Sequence, residues 1–298
     1  MKKVLITGAS GLLGKAVLRH LINTKKYDVF AVTTNVKHLE HFAGITIIEC
    51  DLTRENERQE LMEKVQPDIF VHLAWNQAVE NFRMSDTNLL WLNISTHLLY
   101  LFEQFNGTRF IFAGSSSEYD GATGVFDESV DVVPASLYGL SKKTFNLFAE
   151  NYCKVRHIEY VGMRLFTIYG SEDEHSFGAI PSALCKLSRG EKLVCNSPET
   201  TRDYIYVEDA ASVVEQLLEH TFCGIVNVAS GQARTMREVF QYIGNAMNKS
   251  ECVVMNENPS ESKRFEADIQ LLKSLHMEGI YGEFEKNINK VIQEYNRK

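Results

Sequence analysis

Tyr138 and Lys142 stand four residues apart in the segment Leu137-Tyr-Gly-Leu-Ser-Lys142. On a helix that spacing puts both side chains on one face, one turn apart. A free tyrosine titrates near pH ~10 and is a poor acid or base at neutral pH. A neighbouring ammonium stabilises the phenolate and lowers that pKa, so that the tyrosine can exchange a proton with a hydroxyl or carbonyl oxygen. Such pairs are common on solvated helix faces, and this one gains force from a glycine pattern far upstream. Val4, Leu5 and Ile6 read as a buried parallel strand. Gly8, Gly11 and Gly14 follow in a Gly-x-x-Gly-x-x-Gly pattern, and residues 15–22 continue with helical periodicity. Glycines between a strand and a helix allow a tight turn and close approach of a pyrophosphate, which the free N–H groups of the helix N-terminus can bind.

To act together, these two regions need a scaffold that brings residue 8 to residue 140. The hydrophobic pattern predicts one. Residues 27–33, 45–49, 68–73, 109–113 and 159–165 read as further strands. Residues 55–65, 85–105 and 136–152 read as helices, the last carrying the Tyr/Lys pair. This alternation predicts an α/β fold of Rossmann type, a doubly wound parallel sheet with ligands beyond the carboxyl ends of its strands. Residues 182–189 read as a helix after Pro181, and residues 202–220 as a strand running into a helix. The expected division is a dinucleotide-binding Rossmann domain with the catalytic residues over 1–170 and a smaller C-terminal α/β substrate-binding lobe over 171–298. The chain is expected to cross back into the first domain around 202–230. Residues 278–298 read as a charged, solvated helical end.

At 298 residues the chain can bury a large core. A net charge of -8 gives no reason to expect nucleic-acid binding. The six cysteines are scattered without a Cys-x-x-Cys, which suggests free thiols in a reducing cytoplasm. The nine histidines show no metal-ligand spacing, so no metal is expected. The first strand begins near residue 3 with no secretory signal before it, and no apolar run reaches the ~18 residues of a membrane span.

The motifs, taken in order, resemble the extended short-chain dehydrogenase/reductase family, in its nucleotide-sugar epimerase, dehydratase and 4-ketoreductase branch. The resemblance covers nearly the whole chain. It rests on Gly8-Ala-Ser-Gly11-Leu-Leu-Gly14, Asp51-Leu52-Thr53, His72-Leu-Ala-Trp75, Ser115-Ser-Ser-Glu118, Tyr138-x-x-x-Lys142, Arg164-Leu-Phe-Thr-Ile-Tyr-Gly170 and Arg202-Asp-Tyr-Ile-Tyr-Val-Glu-Asp209. It implies a nicotinamide cofactor bound by Gly8, Ser10, Gly11, Leu12 and Gly14, by Asp51 and Leu52 near the adenine, and by Leu73, Ala74, Tyr138 and Lys142. It also implies a catalytic serine after the fifth strand. Counted from the glycine that closes that motif, the serine is Ser116, with Ser115 and Ser117 as register alternatives. Ser117-Glu118 resembles the serine–glutamate pair of GDP-mannose dehydratases, and Glu118 is read as substrate-contacting or structural. Trp75 replaces a small residue and puts a flat group near sugar and nicotinamide, as in some 4-ketoreductases. The helix asparagine expected in the family is off register, with Trp91 in its place and Asn88 and Asn93 on either side. Thr167 stands where many relatives carry asparagine. By the same resemblance, Arg202 and Arg264 would bind the diphosphate of the substrate.

The acidic residue that grips the adenosine 2′-hydroxyl in NAD enzymes normally ends the second strand. Here that stretch is Val32-Thr33-Thr34-Asn35-Val36-Lys37, without Asp or Glu. Thr33, Asn35 and Lys37 can instead face a 2′-phosphate, which favours NADP(H) and leaves NAD(H) open. The expected activity is reduction of a nucleotide-linked 4-keto-6-deoxy sugar by a cytoplasmic homodimer. A 4-epimerase is the rival, a 4,6-dehydratase stands third, and a non-catalytic dinucleotide sensor is the alternative of another class.

Overall fold

A computed structural model describes residues 1–172, 178–256, 261–277 and 282–297. In chain order the first half contains β1 (Lys2–Thr7), α1 (Leu12–Thr24), β2 (Tyr27–Thr33), β3 (Thr46–Glu49), α2 (Glu55–Val65), β4 (Ile69–His72), α3 (Thr87–Gln104), β5 (Arg109–Ala113), β6 (Gly124–Phe126), α4 (Leu137–Arg156) and β7 (Glu159–Leu165). The second half contains β8 (Thr167–Tyr169), α5 (Ala179–Ser188), β9 (Leu193–Cys195), β10 (Thr201–Tyr206), α6 (Val207–Leu217), β11 (Gly224–Val228), β12 (Ala233–Thr235), α7 (Met236–Ala246), β13 (Val253–Met255), β14 (Arg264–Ala267), α8 (Gln270–Ser274) and α9 (Phe284–Tyr295).

Seven strands form one parallel sheet in the order β11-β7-β5-β4-β1-β2-β3. The winding reverses between β1 and β4, the place where such sheets open a crevice for ligands. Both faces are covered, so the strands are apolar on both sides. Val4, Ile6, Val71 and Ile111 point into one core with α1 and α6, and Leu5, Phe70, Phe110 and Phe112 into the other with α3 and α4. Smaller sheets made by β6, β8, β10, β12 and β14, and by β9 with β13, lie beside this body. β11 supplies the outer strand of the main sheet from the second half of the chain, and α6 packs against α1.

Two expectations about helices need correction. α5 starts at Ala179, so Pro181 lies inside its first turn, where its missing N–H costs no helical bond. The charged terminal helix is not solvated all round: Phe284, Ile288, Val291 and Ile292 form a buried stripe on α9. Their three- and four-residue spacing is the amphipathic signal that the surrounding charges obscured. The first residues of that region, 278–281, lie outside the described residues. Among the described residues no helix is long and apolar enough to cross a membrane.

Candidate active site

The glycine loop forms a cradle with no room for side chains. Gly8 has φ +69, and a Cβ there would lie 2.7 Å from the Ala74 nitrogen. A Cβ on Gly14 would lie 2.2 Å from the Gly8 carbonyl oxygen, so α1 presses directly on the turn that precedes it. Gly11 caps α1 without any side-chain acceptor, which leaves the first-turn N–H groups for a ligand. A cavity of about 450 Å³ runs from Gly8, Gly11 and Gly14 past Leu73 and Trp75 to Ser115, Tyr138 and Lys142. An anion-binding helix end and a Tyr/Lys pair thus share one cleft, and this fits a dinucleotide lying between them.

Tyr138 sits in the first turn of α4. Ser136 caps this helix, accepting from the Gly139 N–H at 3.0 Å while its hydroxyl donates to Asp120 at 2.5 Å. Gly139 is needed here because a Cβ would meet the Ser117 carbonyl oxygen at 2.0 Å. That close approach brings the serine loop up against Tyr138. The Tyr138 hydroxyl receives a hydrogen bond from the Gln77 amide at 2.9 Å, and its ring packs edge-on against Phe82 and Trp75. Burial holds its pKa above the ordinary value, opposed by a hydrogen bond with Ser115, the charge of Arg83 and the Gln77 bond. Lys142 does not provide the lowering that the spacing suggests. Its ammonium donates to the Ala113 carbonyl at 2.6 Å and lies 5.8 Å from the Tyr138 ring centroid.

The hydroxyl partnered with Tyr138 is that of Ser115, one residue before the position counted from the motif. Ser115 also caps the short 3₁₀ turn at residues 116–119, accepting from the Ser117 N–H, with Glu118 returning a bond to the Ser115 N–H. This capping box fixes the register. Ser116 and Ser117 line the same cavity.

Glu118 does not face the cavity. Its side chain is fully buried. It accepts from the Ser115 N–H at 3.0 Å, from Asn146 at 2.8 Å and from Arg164 Nε at 2.9 Å. Arg164 in turn donates to the Tyr119 hydroxyl and the Glu128 carbonyl. A carboxylate so enclosed is a foundation for the serine loop, and of its two readings the structural one fits.

The remaining expected residues are placed as follows. Leu73, Trp75 and Thr167 line the cavity. Ala74 is buried, with its backbone against Gly8. Thr33 is buried, and its hydroxyl donates to the Asn35 carbonyl, while the Asn35 side chain accepts from the Lys37 N–H. The Lys37 side chain is exposed. Asp51 accepts from Thr53 and lies beside Arg54, which hold its pKa down, and Leu52 is buried. Ser10, half-buried in the glycine turn, and Leu12, at the start of α1, flank Gly11. Arg202 and Arg264 are not in the cavity lining. Arg202 is half-buried on β10, in register with Arg234 and Phe265. Arg264 is exposed and pairs with Glu266 at 2.9 Å.

Sequence reasoning did not single out Gln77, Phe82 or Arg83. They lie in the stretch between β4 and α3, where no periodicity marks a position. Asn88, left without a role, is 1% exposed and accepts the Trp75 indole N–H at 2.9 Å.

The fold is of the Rossmann type, and one cavity joins its glycine loop to the Tyr138/Lys142 pair. The NAD dependent epimerase/dehydratase family model matches residues 4–229, and the chain belongs to that family. Its fold is shared with UDP-N-acetylglucosamine 4-epimerase from Methanobrevibacter ruminantium M1, solved with UDP-N-acetylmuramic acid (24% identity, 99% of this chain and 98% of that chain covered, TM-score 0.87). It is also shared with UDP-glucose 4-epimerase from Thermotoga maritima, solved with UDP-glucose (22%, 99% and 98%, 0.87). A third is dTDP-glucose 4,6-dehydratase from Bacillus anthracis, solved with NAD (18%, 100% and 97%, 0.85).

Proposed function

We propose that the chain reduces a 4-keto-6-deoxy sugar carried on a nucleotide diphosphate. One observation carries this reading: burial holds the Tyr138 phenol above its ordinary pKa, with the Gln77 amide on its oxygen, while the Lys142 ammonium turns to the Ala113 carbonyl. That setting keeps the phenol protonated, the form that serves a proton donor. A bound nicotinamide dinucleotide would supply the hydride. Ser115 orients the carbonyl oxygen, Tyr138 gives that oxygen its proton, and Trp75 walls the site. The described residues that line the cavity include no carboxylate, and this supports reduction over dehydration.

The second reading is a 4-epimerase that retains NAD. It is favoured by the turn after β2, where Thr33 and Asn35 spend their hydrogen bonds on each other and on Lys37. That leaves fewer groups of this turn free for a 2′-phosphate, the exposed Thr34 and Lys37 among them. The deciding experiment offers several 4-keto-6-deoxy nucleotide sugars with NADPH or NADH and follows the absorbance of the reduced nicotinamide. Net oxidation, faster with NADPH, is expected. No oxidation with any of them, alongside interconversion of C4 epimers without added cofactor, would replace the reductase by the epimerase.

Arg202 retains its proposed role at the substrate diphosphate, since a guanidinium offers a fork of donors suited to phosphate. Arg202→Ala is expected to raise KM for the nucleotide sugar about tenfold or more and to leave dinucleotide affinity nearly unchanged. Titration of each ligand separately checks this, and loss of the dinucleotide alone would reassign the residue. We also propose a homodimer in the cytoplasm. Leu89, Tyr100, Leu147, Phe148 and Val155 leave an apolar face exposed on the neighbouring helices α3 and α4, suited to a second copy. The six free cysteines fit a reducing compartment.

A further inference from the structure

Lys142 poses an electrostatic problem. It is 2% exposed, and no carboxylate of the described residues forms an ion pair with it. A buried charge with no counter-ion is costly and tends to neutralise. Glu118, the acid whose charge reaches it, is committed to Arg164, Asn146 and the Ser115 N–H. The nearby His72 is neutral, burial pushing its pKa down to about 3, and is locked between Thr7 and Ser95. Tyr138 is the remaining titratable neighbour, protonated at neutral pH, and Arg83 faces Tyr138 from the segment before α3.

What does meet the ammonium is aromatic. Lys142 Nζ lies 3.9 Å from the centroid of a Trp75 ring and 4.6 Å from that of Phe112, with the Ala113 carbonyl accepting at 2.6 Å. Phe112 belongs to β5 and packs in the core. Trp75 lies in the loop after β4 and needs a tether. Asn88 provides it: its amide donates to the Phe82 and Ser85 carbonyls at 2.6 and 2.9 Å, which aims its oxygen at the indole N–H. We propose that Trp75 is a positioning residue whose indole face holds the Lys142 ammonium in its charged form, and that Asn88 on α3 holds the indole. Tryptophan suits the position because it offers the strongest aromatic face for a cation and also an N–H handle, which phenylalanine lacks. Burial, partly offset by the charge of Glu118, brings the lysine down to about 7, so a favourable aromatic face weighs toward the ammonium at neutral pH.

The test follows the Lys142 side chain by NMR in protein labelled with 13C at lysine Cε, assigned with Lys142→Met. Trp75→Leu is expected to lower the Lys142 titration midpoint by about one pH unit, and Trp75→Phe by less. Where activity needs the ammonium, it is lost as pH rises through that midpoint, so the alkaline limb of the kcat profile moves down by the same amount. That kinetic arm rests on the reductase reading, whereas the titration arm does not and decides the proposal if no substrate is turned over. An unmoved midpoint in Trp75→Leu, with turnover lowered equally at every pH, overturns it, as does an equal shift in the Leu and Phe variants. If Trp75→Leu does not fold, Asn88→Ser must move the midpoint downward by freeing the indole, and an unmoved midpoint there overturns the proposal too.

Discussion

Tyr138→Phe will fold and bind dinucleotide but lose about 100- to 10,000-fold in turnover, the usual worth of a general acid. The substitution keeps the ring, and with it the edge-on packing against Phe82 and Trp75. It deletes only the oxygen that Gln77 and Ser115 address. Because the ring itself stays packed and 6% exposed, little stability should change with it. Steady-state rates on the keto substrate, beside dinucleotide titration, measure both effects. Turnover close to that of the unmodified protein would remove Tyr138 from the chemistry.

The largest loss of stability is expected from Glu118→Ala. Arg164 would remain in the interior with its Tyr119 and Glu128 contacts but without its counter-ion. Breaking a buried pair from one side costs about 3–5 kcal/mol. In a protein of this size that lowers the unfolding midpoint by roughly 5–8 °C. Glu118→Gln, which keeps the shape and part of the hydrogen bonding, should lose less. Thermal unfolding of the two variants separates the roles: an unchanged midpoint with only a raised substrate KM would return Glu118 to the substrate site.

The comparison of these two residues shows what the sequence could reveal. Tyr138 was legible as a candidate because its signals are local: a lysine four residues on, a glycine triplet between a strand and a helix, and strands regular enough that β5 and β7 have the expected bounds. Glu118 was legible as a motif member but not as a buried ion. Its counter-ion is 46 residues away on β7, and no local spacing encodes that meeting. The serine register falls between these cases. Counting from the downstream glycine left Ser115, Ser116 and Ser117 as register alternatives, whereas Ser115-x-x-Glu118 is itself a capping-box sequence and points to Ser115 as the cap. The direction of the Lys142 ammonium depends on Trp75 and Ala113 from two other segments, so helix spacing alone could not give it.

The order in which the sheet is completed also bears on how the protein is made. β11 joins the outer side of β7, and α6 covers α1, although both belong to the second half of the chain. A ribosome that has just released the Tyr/Lys helix and β7 therefore holds a nascent chain with one bare parallel edge and one uncovered helix. Such an edge is a template for pairing with other chains, and parallel closure over long sequence separations is slow. Until β11 and α6 emerge, that edge and that helix face stay bare, so the order of synthesis itself argues against parting the two halves of this chain.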